Sequence, residues 1–330
     1  MAQPNHDPTA ITAGDVLGVY LRSQATAFLR GLRLHDEGAA SGPAEGTEAA
    51  RSLRGAARRI ASSLSTFRAV ADSAWADSLR TELVWLSSTL ADEHAYAARL
   101  TRLMDALHRL SGSPEVPAPR GGASGSLTVG SARAGALLER QLTLSRTRAH
   151  SATLQALGSS RFHAVADSVA VLASEVPLDA VAARGRVDQV LVPLTEVAGS
   201  RLSAAVASLP APCPAHPYNA DHDGPWNEVR RLLRVHRYAR EALGEDVARH
   251  AAAGEALDRH RDAAEAAAAS ATAARTPRIA PATAYALGIL HADQRHEVEA
   301  SRLTFHHIWQ PNSGHAVHEA ESGHVTVTAR

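Results

Sequence analysis

Apolar residues recur along this chain at spacings of three and four, and alternating runs rich in Val, Ile and Thr are nearly absent before the last residues. That pattern predicts helices throughout and an all-α fold. Residues 1–10 read as a disordered N-terminus. A first helix is expected from Ala13 to Leu34, with Val16, Tyr20, Ala27 and Leu34 at core positions, and a break over Gly38 to Pro43. A second helix spans Glu45 to Val70. A third runs from Ser73 to Leu90, with Trp75, Leu79, Leu83 and Leu86 packing, and Asp92 to Leu110 continues it. A Gly- and Pro-rich loop over 111–126 follows. Val129 to Gly158 is helical, carrying Leu137, Leu144 and Leu154, and further helices are expected from Arg161 to before Pro177 and over Arg184 to Leu209. The proline-rich stretch 210–225 leads to a helix opening near Trp226, then helices over Ala248–Ala274 and Pro281–Trp309. Residues 311–330 read as a polar tail.

Two of these helices divide into chemically opposite faces. At 100° per residue, Arg51, Arg54 and Arg58 share one arc with Arg59 beside it, while Leu53, Ala57, Ile60, Leu64 and Phe67 lie opposite. In the second, Arg230, Arg234 and Arg237 share an arc with Arg231 beside it, against Leu232, His236, Ala239 and Leu243. Each helix can bury one face while presenting guanidinium groups on the other, which points to an anionic partner.

Charge changes this picture by confining it. The 330 residues carry 34 basic and 34 acidic side chains, a formal net charge of zero, so any anion site must come from local segregation of charge. Every one of the basic residues is arginine, whose fork grips phosphate oxygens in pairs. The single cysteine, Cys213, excludes an internal disulfide and suits a reducing compartment. The N-terminus has no secretory pattern and no run of apolar residues is long enough for a span, so a cytoplasmic protein without membrane contact is expected. The 18 histidines form no HExxH or paired ExxH arrangement, and no metal or cofactor is expected. No phosphate loop or GxSxG elbow is present, so catalysis is not expected. Four tryptophans with few other aromatics offer no stacking platform, which argues against nucleic acid.

The order of features repeats. An arginine-striped helix is followed by a helix with a polar break, LADEHAYAARL in one half and ALDRHRDAAEA in the other, and each half closes with a long helix. Two related helical halves, about 11–178 and 179–310, are expected to pack as one unit within 11–310, each a four-helix bundle.

These residues resemble the CHAD family, the conserved histidine alpha-helical domains, from Ile11 to Trp309. Ala50 to Phe67 aligns with the first signature helix and keeps Arg54, Arg58, Arg59, Leu64 and Phe67, with Arg51 at the histidine position and Ala61 at an arginine position. Asn227 to Glu241 aligns with the second and keeps Arg230, Arg234, Arg237, Tyr238 and Glu241, with Asn227 for the histidine and Val235 for an arginine. Downstream, Leu257, His260 and Asp262 match while Asp258 replaces a glycine, and His94 replaces an arginine in the first half. The closing pattern is kept as Pro281, Tyr285, Gly288, His291 and Trp309.

The resemblance implies binding of inorganic polyphosphate in a basic groove or pore between two bundles, by proteins associated with polyphosphate granules. Carried over residue by residue, it implies contacts from Arg51, Arg54, Arg58, Arg59, Arg230, Arg231, Arg234, Arg237, His260, Arg261 and His291. The competing reading is a helical scaffold or regulatory protein whose arginine faces meet an acidic protein. The two separate on whether both guanidinium rows line one cavity.

Overall fold

The computed structural model describes residues 11–41, 43–112, 124–210 and 218–309. The described residues form helices α1 (Ala13–Ser41), α2 (Pro43–Thr66), α3 (Ser73–Gly112), α4 (Ser124–Leu157) and α5 (Ser160–Ser174). They continue with α6 (Val187–Ala207), α7 (Asp223–Ala242), α8 (Ala248–Ala274) and α9 (Pro281–Trp309). No strand occurs among them, as the period of the apolar pattern predicts. Two isolated antiparallel bridges, Thr12 with Arg186 and Ala71 with Leu178, stitch connecting segments together. The expected N-terminal and C-terminal tails, most of the loop over 111–126 and the middle of the proline-rich stretch lie outside the described residues.

Boundaries shift where local chemistry competes. The first helix runs past Gly38 to Ser41, because a glycine costs a helix only about 1 kcal/mol. Pro43 then opens α2, at the position where its missing N–H is not needed. The third helix is unbroken over 40 residues, roughly 60 Å at 1.5 Å per residue.

The buried face of α1 is one position away from the expected one. Leu17, Leu21, Ala25 and Phe28 are fully buried, Val16, Tyr20 and Ala27 only partly, and Leu34 is 48% exposed. In α4 the core positions are Ala134, Leu138 and Leu142, while Leu144 and Leu154 face solvent. Both helices carry more apolar residues than one stripe can bury, so the contacts of neighbouring helices choose the face. In α2, where arginines mark the opposite side, Leu53, Ala57, Ile60, Leu64 and Phe67 are all buried as expected.

Three cores result. Helices α1, α2, α5 and the first half of α3 enclose Leu21, Phe28, Ile60, Phe67, Leu83 and Leu172. Helices α6 to α9 enclose Leu202, Trp226, Leu233, Leu257 and Phe305. Between them the far end of α3 joins α4, α8 and α9 around Leu103, Leu107, Leu138, Ala266 and Leu287, a core to which both halves contribute. Helix backbones approach one another closely at two glycines. A β-carbon on Gly31 would meet the Leu53 backbone of α2 at 3.1 Å, and one on Gly130 would meet Ala282 O of α9 at 2.4 Å.

Among the described helices α6 alone is long and apolar enough to cross a membrane by length and composition. Asp188, Glu196 and Arg201 interrupt it, and Leu191, Leu202 and Val206 are buried against the other helices.

Candidate functional site

The two arginine helices pack against each other across the two halves. Because α2 turns Leu53, Ala57, Ile60 and Leu64 into the first core, and α7 turns Trp226, Val229 and Leu233 into the second, their basic faces are left on the seam. There Arg54, Arg58, Arg231 and Arg234 line one cavity of about 460 Å³. The first half of α3 supplies the third wall with Arg80, Val84, Ser87 and Ser88, and Ala61, Val235 and Tyr238 are the small and aromatic surfaces between the arginines. Arg54 and Arg58 of one row and Arg234 of the other, about 175 residues apart in sequence, therefore share one space, while Arg51, Arg59, Arg230, Arg237 and Arg261 do not line it.

The charges in this cavity are unevenly compensated. Among the described residues, no carboxylate forms an ion pair with Arg54, Arg58 or Arg234. The Arg54 Nε donates to the backbone oxygen of Ser87 at 3.2 Å, which fixes its direction without neutralising it. Burial first, then repulsion from Arg261, Arg234 and Arg230, pushes the Arg54 guanidinium down to about 10. Burial with Arg54 and Arg230 does the same to Arg58, to about 10, and burial with Arg230 and Arg58 to Arg234, also to about 10. All three stay protonated at neutral pH, so the cavity holds concentrated positive charge that water only partly screens. Beside them, Ser62 Oγ, Ser87 Oγ and Arg234 Nη1 are buried polar atoms with no hydrogen-bond partner among the described residues. An acceptor entering the cavity would satisfy such donors, which otherwise cost about 1–3 kcal/mol each.

The remaining arginines are tied down. Glu241 holds Arg59 by a 2.9 Å hydrogen bond and Arg237 by an ion pair at 3.2 Å, and accepts from the Tyr20 hydroxyl at 3.4 Å. Both guanidiniums lie over the Tyr238 ring, 5.2 and 4.9 Å from its centroid. The pairing with Glu241 outweighs burial and raises the Arg59 pKa, the reverse of its groove neighbours. Arg230 is buried and donates to Asp258 at 2.5 Å. Arg231 pairs with Glu228 at the exposed rim, Arg51 with Glu48 one turn away, and Arg261 with Asp262 and, at 3.8 Å, Glu265.

The histidines in the sequence reading are placed elsewhere. His260 is 1% exposed, with its Nε2 3.2 Å from Asp223 Oδ1 and its ring against Trp226. His291 Nδ1 lies 2.9 Å from Ala267 O and ties α9 to α8. Neither lines the cavity, because both belong to faces that pack helices of the second half. The residues that sequence reasoning passed over are Ser62 and Ser65, which continue the Arg54–Arg58 row along α2 without a charge to mark them, and Arg80, Ser87 and Ser88 on α3, which has no arginine stripe. His94 does not line the cavity but feels its charge. Burial first, then the charges of Arg51 and Arg54, lowers its pKa, which places it beside the same cations.

A sequence model of the CHAD domain matches residues 23–273. Among solved structures the chain is similar to PptA from Streptomyces chartreusis, with 59% identity over 91% of this chain and 99% of that one, and a TM-score of 0.77. It is also similar in fold to the CHAD domain from the plant Ricinus communis, with 19% identity over 90% of this chain and 92% of that one, and a TM-score of 0.59. No curated protein sequence matches it.

Proposed function

The chain belongs to the CHAD domain family, and on that premise we propose that it binds inorganic polyphosphate in the arginine-lined cavity between its halves, without chemical change to the ligand. The observation that supports this most is the set of three guanidiniums, Arg54, Arg58 and Arg234, held together with no carboxylate in an ion pair with them among the described residues. A protein that used these residues only for stability would pair them, since uncompensated buried charge opposes folding. A flexible polyanion relieves that repulsion with oxygens at close spacing and needs no base-reading groups. Arg231 and Arg80 extend the basic track at the rim, and Arg59 and Arg237 back it. Binding of this kind suits a protein located where polyphosphate accumulates, in granules within the cytoplasm.

The reading is tested by titrating long-chain polyphosphate into the protein at several salt concentrations, with duplex DNA as competitor. About five displaced cation contacts give a slope of log affinity on log salt near −3.5. Exchanging Arg54 and Arg58 for glutamate, or separately Arg230 and Arg234, should abolish binding in each case. Retained binding in both double variants, or equal affinity for DNA, would refute it.

A further inference from the structure

Of the carboxylates near the cavity, Asp258 on α8 stands in a position unlike the rest. Glu241 pairs with Arg59 and Arg237, and Glu228 with Arg231 at the rim, whereas Asp258 pairs with the buried Arg230. Its Oδ1 accepts from Arg230 Nε at 2.5 Å, and its charge acts on Arg54, Arg58, Arg234 and Arg261 as well. The two partners are unequal in freedom. The Arg230 side chain is 11% exposed and fixed within α7, while that of Asp258 is 52% exposed and can swing into water.

We infer that Asp258 is a resident counter-ion that must release Arg230 to an incoming polyanion, and is thereby the residue that selects long phosphate chains over short ones. This rests on the polyphosphate reading above. A short anion that reaches Arg58 and Arg234 still faces the repulsion of Asp258 and gains little beyond what the resident pair already supplies. A long chain engages Arg54, Arg58 and Arg234 together and continues to the rim arginines, so the loss of one ion pair is a small part of its total. The released carboxylate rehydrates at the surface, and Arg230 keeps an anionic partner throughout.

Calorimetric titration of the parent protein and Asp258→Asn with tripolyphosphate and with long-chain polyphosphate tests this. The Asn variant should bind tripolyphosphate about tenfold more tightly but the long chain by less than about threefold, since one charge in few matters more than one in many. Its salt slope should steepen by about 0.7, the value of one added cation contact. A folded Asn variant with unchanged or weaker tripolyphosphate binding overturns the role of Asp258. If that variant does not fold, Arg230→Gln with Asp258→Asn removes cation and counter-ion together. That pair should keep the parent's slope and stay within about threefold of its tripolyphosphate affinity, and a loss of about tenfold or more would show Arg230 already free in the parent and overturn the inference. Absence of long-chain binding by the parent overturns the functional reading itself, and with it this one.

Discussion

At the scale of single residues, the guanidiniums divide by whether a carboxylate holds them. Arg58 and Arg234 are half-buried beside other cations with no ion-pair partner among the described residues, so replacing either with methionine removes repulsion from the unliganded protein. The expected result is a melting temperature equal to or above the parent's, with polyphosphate affinity reduced by about tenfold or more, because charge-assisted hydrogen bonds are each worth about 1.5–3 kcal/mol. Differential scanning calorimetry without ligand, paired with a binding titration, reads both. A fall in melting temperature would mean that the arginine stems are structural packing rather than a charged site. Glu241 predicts the opposite behaviour. Changing it to glutamine leaves Arg59 and Arg237 partly buried without their anion, and should cost about 1–3 kcal/mol in urea denaturation.

At the scale of elements, the seam between α2 and α7 exists because α2 and the N-terminal part of α7 bury their apolar residues in different cores, while Ala239 and Ala242 at the end of α7 join the core of α2. Helix α3 adds the third wall and, at its far end, carries Leu103 into the core shared with α4, α8 and α9. Leu103 is completely buried, so Leu103→Ala should destabilise the protein by about 2–5 kcal/mol. The site lies near the other end of the same long helix, about 24 Å from Leu103 when measured from Ser87 along a straight helix. Polyphosphate binding well below the melting point should therefore change little in this variant. Loss of affinity without unfolding, seen by circular dichroism alongside titration, would instead show that the wall is positioned through the shared core.

At the scale of the whole molecule, acid and ligand act on the joined halves together. His250 is buried, 3.0 Å from His236 Nδ1, and packs on Trp309, with Arg237, Arg240 and Arg249 around it. Burial first, then those positive neighbours, lowers its pKa from 6.5 to about 4. The unfolded chain therefore binds a proton between those values that the folded one refuses. The stabilisation is complete above about pH 6.5 and is lost as pH falls toward 4. Melting curves across that window should drop for the parent and less steeply for His250→Asn, and parallel curves would contradict it. Polyphosphate should raise the melting temperature of the entire protein in one transition, because the cavity draws on both halves. Two transitions, with only one moved by ligand, would show the halves unfolding apart.

Helix content, the two arginine stripes and the buried face of α2 were all legible in the sequence, since each depends on spacing within one helix. Family signature residues added Tyr238 and Glu241, whose contacts with Arg59 and Arg237 no local pattern reveals. The burial of His260 on Asp223, the use of Arg80 and the serines of α3, and the rotation of α1 by one position were settled only by how the helices pack. The reason is that helical periodicity specifies what lies on a face but not what that face meets. Whether an arginine meets a carboxylate, as Arg59 does, or other arginines, as Arg58 does, is a property of residues distant in the chain, and tertiary structure alone decides it.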